Sequence, residues 1–308
     1  MNYPIFFNSK NSLNLFGLQE NFKFISDLYS KKKLPKILMF SGNKGSGKAT
    51  LVNHFLYSIF DEKNYNIDNF NLSSNSVFLN QFQNNIFSNI IYISGANFKS
   101  VKVEDIRNLK KKILQSTISD KDRFIVFDDI ELFNDSSLNA LLKIIEEPSK
   151  KNYFFLINNK SKSLLQTINS RALEIKIILS ESQRLEIIDK LISFFNLELI
   201  LEPKSSQLSP GNFIKYNHIC NEYSVLPTND LVENLTLLLN LYKKEKNILF
   251  INIILFIIDF YFKNKNLSKN DNIFEIKNYI FDNVNKFMMY NINQNSLINA
   301  VKEKLNYE

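Results

Sequence analysis

Gly42-Asn43-Lys44-Gly45-Ser46-Gly47-Lys48-Ala49 decides the fold. It matches a phosphate-binding loop (Gly, four residues, Gly, Lys, then Ser or Thr) at every position but the last. In such a loop the backbone N–H groups and a helix N-terminus cradle phosphate oxygens, and Lys48 would reach the outer phosphates. The hydroxyl that holds Mg²⁺ is missing, because Ala49 carries only a methyl. Thr50 cannot simply take over, since one residue turns the side chain about 100° around a helix. Working outward, residues 37–40 read as a buried strand before the loop and 50–60 as a helix after it, which is the context the motif requires.

The alternation continues downstream. Residues 89–93, 124–127, 153–157 and 173–177 read as strands, and 103–114 as a helix. Leu138, Leu141, Leu142 and Ile145 fall on one helical face. Continuous apolar strands separated by helices predict a parallel five-stranded sheet covered on both faces. After Ile178 the strands stop. Ser180-Glu181-Ser182-Gln183 resembles a capping box, and the rest of the chain reads as helical. We therefore expect an α/β P-loop domain over 1–178, a small helical domain over 179–226 and an all-α domain over 227–308. Residues 61–88, polar and rich in Asn, are expected to form an inserted loop without regular structure.

Composition narrows the class. The chain has 308 residues, 44% of them hydrophobic, so it can bury a sizeable core. Its one cysteine, Cys220, permits no intramolecular disulfide, which suits a reducing cytoplasm. No basic-then-apolar start marks a signal peptide. The apolar run 248–262 is interrupted by Asn252 and Asp259, so it reads as a buried helix rather than a membrane span. The net charge of +7 fits either a solvated basic surface or a DNA-facing patch. The abundance of Asn, Ile, Lys and Phe, all with A/T-rich codons, favours the first. His218 and Cys220 lie two residues apart without a second cysteine, so no metal site is expected.

Asp128 ends the apolar strand at the place where P-loop proteins keep an acid for Mg²⁺, and Asp129 follows where an active ATPase would have Glu. Asn139-Ala140-Leu141-Leu142-Lys143-Ile144-Ile145-Glu146-Glu147-Pro148 resembles the signature of clamp-loader subunits of the AAA+ class. Ser170-Arg171-Ala172 is similar to that family's Ser-Arg-Cys motif, with Ala in place of Cys. Residues 16–19, Leu34-Pro35 and 103–107 resemble the family as well, so the likeness is dense over 14–178 and thin beyond. Within the family the pattern is most similar to the delta-prime branch of bacterial DNA polymerase III clamp loaders.

That resemblance implies an AAA+ domain, a helical lid and a helical collar. It makes Arg171, with Ser170 beside it, an arginine finger directed at the ATP site of a neighbouring subunit. It makes Gly42, Gly45, Gly47, Lys48, Thr50, Asp128, Asp129 and Asn159 a degenerate nucleotide site. Asn159 would be the sensor-1 residue, and Leu208-Ser209-Pro210-Gly211-Asn212 the sensor-2 segment, with Asn212 replacing its arginine. Ala49 and Asn212 argue against ATP and Mg²⁺, no cofactor is required, and the absence of cysteine in 61–88 argues against zinc. Implied partners are the motor ATPase and delta-type subunits, the sliding clamp, and primer–template DNA through the complex, with no membrane. Two other readings stay open: an active AAA+ motor subunit, and a general basic DNA-binding protein.

Overall fold

The computed structural model describes residues 3–95, 101, 103–114, 121–146, 151–264, 271–290 and 292–305. In chain order these form α1 (Gln19–Ser30), β1 (Ile37–Ser41), α2 (Lys48–Phe60), β2 (Tyr65–Asn66), β3 (Asn71–Leu72), α3 (Val77–Gln83), β4 (Ile90–Ser94), α4 (Val103–Leu114) and β5 (Arg123–Asp128). There follow α5 (Asp135–Ile145), β6 (Asn152–Asn158), α6 (Gln166–Asn169), β7 (Leu173–Lys176), α7 (Glu181–Phe195), α8 (Pro203–Ser206) and α9 (Pro210–Glu222). The last helices are α10 (Leu231–Glu245), α11 (Ile248–Asn264), α12 (Asp271–Tyr290) and α13 (Gln294–Leu305).

The expected five-stranded parallel sheet is present, in the order β4-β5-β6-β1-β7. Its strands alternate between two buried faces, as the period of an extended chain demands. Leu38, Phe40, Phe124, Val126, Phe155 and Ile157 pack with α1 and α2, through Phe22, Ile25, Leu51 and Phe55. Met39, Ile125, Phe127, Phe154 and Leu156 pack with α4, α5 and α6, through Ile106, Leu109, Leu138, Leu141, Ile145 and Ile168. The helices start where their caps dictate. Asn134 accepts from the Ser137 N–H at 2.8 Å to open α5. Ser180 and Gln183 bond reciprocally at 3.0 and 3.3 Å, completing the capping box before α7.

The segment 61–88 departs from expectation. It folds into the β2–β3 hairpin and α3, with Tyr65, Phe70, Leu72, Phe78, Leu79 and Phe82 buried in the main core. Phe82 sits edge-on to Tyr57 of α2 at 5.4 Å between ring centres. His54, also on α2, bonds Tyr65 Oη through Nδ1 at 3.1 Å and the Ser12 carbonyl through Nε2 at 3.2 Å. Aromatic anchors spaced between Asn residues hold this segment, and such spacing has no helix or strand period to read.

The chain divides into two compact units. One comprises Tyr3–Phe195 with Ser209–Asn212, the other Asn196–Leu208 with Phe213–Glu308. The three-part division at 178 and 226 is a different partition and remains a proposal. In the helical unit α10 packs on α11 and α13, α11 on α12, and α12 on α13, closing a four-helix arrangement. Asp259, one of the two polar interruptions of α11, pairs with Lys263 at 2.7 Å and Lys277 at 2.5 Å. Among the described residues, no helix is long and apolar enough to cross a membrane.

Candidate functional site

The carboxyl ends of the parallel strands bring the loop and the acids together. The Gly42 N–H donates to the Asn158 carbonyl at 3.2 Å, tying the loop to the end of β6. Gly45 has φ +84°, and a Cβ there would lie 2.4 Å from Ser209 Oγ and 2.8 Å from the Asn212 nitrogen, so only glycine fits. The turn that crowds Gly45 is the expected sensor-2 segment. The Gly211 N–H donates to the Gly45 carbonyl at 2.8 Å, and the Ser209 hydroxyl donates to the Lys44 carbonyl at 2.6 Å.

Lys48 is 3% exposed. Its ammonium donates to the Gly42 carbonyl at 2.8 Å, the Asn43 carbonyl at 2.7 Å and Ser46 Oγ at 3.4 Å. Burial pushes its pKa down to about 8, against the pull of Asp128, Glu131 and Asp129. Ala49 and Thr50 follow in the first turn of α2, both half-buried, with Ala49 packed against the core.

Asp128 closes β5. Its Oδ2 accepts from the Tyr92 hydroxyl at 2.8 Å and its Oδ1 from the Asp129 N–H at 3.0 Å. Burial, then the neighbouring Asp129 charge, raises its pKa to about 6. Asp129 is 4% exposed and adopts the left-handed region, φ +52°. Its Oδ1 accepts from the Asn159 amide at 2.6 Å and the Lys44 ammonium at 3.2 Å. Of the neighbouring asparagines Asn158 and Asn159, it is Asn159 that faces the acids. Asn158 instead takes the Lys160 N–H at 2.8 Å. Buried Glu131 accepts from the Ser161 hydroxyl at 2.8 Å. Tyr92 and Glu131 were not singled out from the sequence, and Lys44 and Ser209 stood there inside quoted motifs without a role of their own. Tyr92 sits on the strand paired with β5, and only that pairing brings it to Asp128.

The lysine ammonium is engaged with the loop's own carbonyls, and the turn 209–212 lies on Gly45. The strand-end acid already accepts two hydrogen bonds, and the hydroxyl ligand is absent at Ala49.

Ser170 and Arg171 are not part of this cluster. They precede β7, whose Leu173 lies opposite Leu38 near the start of β1, whereas Lys176 lies opposite Ser41 at the loop. They therefore occupy the amino-terminal edge of the sheet, opposite the phosphate loop. Arg171 Nη1 donates to the Thr167 carbonyl at 2.8 Å and Nη2 to Glu146 Oε1 at 2.7 Å. Both side chains are well exposed, Arg171 at 36% and Glu146 at 45%. Ser170 Oγ caps the same turn, donating to the Thr167 carbonyl at 3.2 Å. Glu147 and Pro148 of the signature lie outside the described residues.

The protein-family model described as "DNA polymerase III, delta subunit" matches residues 17–180, more than half of the chain. The chain belongs to this family. Among curated relatives, DNA polymerase III subunit delta' of Buchnera aphidicola subsp. Baizongia pistaciae (strain Bp) is 25% identical over 166 residues, covering 52% of this chain and 49% of that protein. DNA polymerase III subunit gamma of Buchnera aphidicola subsp. Acyrthosiphon pisum (strain APS) is 26% identical over 190 residues, covering 61% and 49%. The chain spans about half or less of the length of the curated relatives it matches first. Among solved structures, a DNA polymerase III gamma subunit-related protein from Thermotoga maritima aligns with TM-score 0.45 at 16% identity, covering 91% of this chain and 99% of that one. The family match thus takes in the five-stranded sheet and its flanking helices, and the helical region after residue 180 lies beyond it.

Proposed function

We propose that this chain is a cytoplasmic clamp-loader subunit of the replicative DNA polymerase that turns over no ATP itself. It supplies Arg171 to the ATP site of a neighbouring motor subunit while the complex loads a sliding clamp onto primed DNA. The observation that carries this reading is the position of Arg171 at the sheet edge opposite the chain's own phosphate loop. From Leu38 to Ser41 the register spans about 10 Å of strand, so the guanidinium serves a second molecule more readily than its own loop. A planar guanidinium donates two parallel bonds to a phosphate and offsets charge that develops as the terminal phosphoryl group leaves. Arginine fingers are worth roughly 10³–10⁵ in rate in GTPase systems.

The phosphate loop and its acids then act as a scaffold. Lys48, Lys44, Asn159 and Tyr92 are engaged in holding the strand ends together. The test is reconstitution with partner subunits carrying Arg171→Ala. Assembly is expected to be normal, and DNA-stimulated ATP hydrolysis to fall by about 100-fold or more. An unchanged rate refutes the finger. In parallel, tight Mg²⁺-dependent ATP binding by the isolated chain would refute the inactive reading.

A further inference from the structure

Arg171 does not hang free from its turn. Of its five N–H donors, two are engaged among the described residues, one with the Thr167 carbonyl and one with Glu146. Three remain to meet a phosphate. The Thr167 carbonyl belongs to the same turn, four residues back. Glu146 comes from a different element, the C-cap of α5, and crosses 25 positions of sequence to reach the guanidinium.

Glu146 belongs to the signature run, but on local grounds a carboxylate is out of place at the end of α5. The C-terminal end of a helix carries partial negative charge, so a cation is preferred there and a carboxylate is disfavoured. The helix itself ends through backbone bonding, with the Glu146 N–H donating to the Leu142 carbonyl at 2.9 Å. The carboxylate therefore contributes nothing to ending α5. Its side-chain partner among the described residues is Arg171. An ion pair this exposed adds little to stability, about 0–1 kcal/mol. What it does supply is direction. Two anchors from separate elements restrict a side chain that otherwise has many rotamers, and a preorganised group loses less entropy when it engages a transition state.

We infer that Glu146 is a positioning residue for Arg171: its carboxylate, with the Thr167 carbonyl, aims the guanidinium outward with three donors open to a partner's phosphate. This rests on the finger reading above.

The experiment is a double-mutant cycle in the reconstituted complex, reading kcat and KM for ATP in the presence of primed DNA and clamp. Glu146→Ala is expected to lower kcat about tenfold while KM changes less than about twofold, since aim matters in the transition state and not in ground-state binding. Glu146→Gln keeps an acceptor without the charge and should fall between the parent and the alanine variant. In the Arg171→Ala background, Glu146→Ala should have no further effect. Multiplying losses, or an unchanged kcat for Glu146→Ala while Arg171→Ala is impaired, would overturn the positioning role and leave the finger intact. If Arg171→Ala alone leaves kcat unchanged, the finger reading itself fails. Gel filtration of the complexes separates loss of aim from loss of assembly.

Discussion

Asp128 shows how a single side chain changes its work when its surroundings change. A strand-end acid that serves a metal is kept ionised and open. Here it receives the Tyr92 hydroxyl and is raised to about 6 by burial. A carboxyl raised above its unfolded value contributes stability below pH about 4 and loses it as pH rises through about 6. At pH 8 the ionised Asp128 is therefore a cost. Asp128→Asn, which cannot ionise, should gain about 1–2 kcal/mol over the parent at pH 8 and little at pH 4, read from urea midpoints. An advantage that shrinks as pH rises would mean that the carboxylate is stabilised by its lysine neighbours. The glycines, Lys48, Asp128, Asn159 and Arg171 were legible in the sequence because each sits within a contiguous motif. Tyr92, Lys44, Ser209 and Glu146 were not read as partners, because each meets its partner across 25 to 165 positions of sequence.

At the scale of elements, the lesson lies in residues 61–88. The strands and long helices announced themselves by periodicity, and their observed bounds differ from expectation by a residue or two. The hairpin and α3 have no such period. Their order comes from rings placed against α2, so its loss should be felt far from the loop surface. Phe82, 2% exposed, leaves a cavity on truncation, and Phe82→Ala should destabilise the sheet unit by about 3–4 kcal/mol in urea unfolding. A cost below about 1 kcal/mol would mark the segment as the loose insert that its composition suggests.

For the whole molecule, the two compact units each carry a core of their own. Cys220 is fully buried in the helical unit, and burial pushes its thiol up to about 12. It is the chain's only cysteine and so reports on that unit alone. We expect no reaction with a thiol reagent in the native state, and exposure at a denaturant concentration that differs from the midpoint of the far-ultraviolet circular dichroism. Coincident transitions would show the units unfolding as one.

The sequence by itself determined the parallel sheet, its helical covering, the helical C-terminal region and the missing Mg²⁺ hydroxyl at Ala49. These rest on local chemistry: apolar period, glycine-bearing turns, capping residues and the identity of one side chain. Tertiary structure alone decided how the phosphate loop is packed. It laid the 209–212 turn on Gly45, closed Lys48 onto its own loop, tied Asp128 to Tyr92, and set Arg171 at the opposite sheet edge against Glu146. Such contacts depend on strand order and register, which bring distant positions together and leave no mark on the residues flanking each of them.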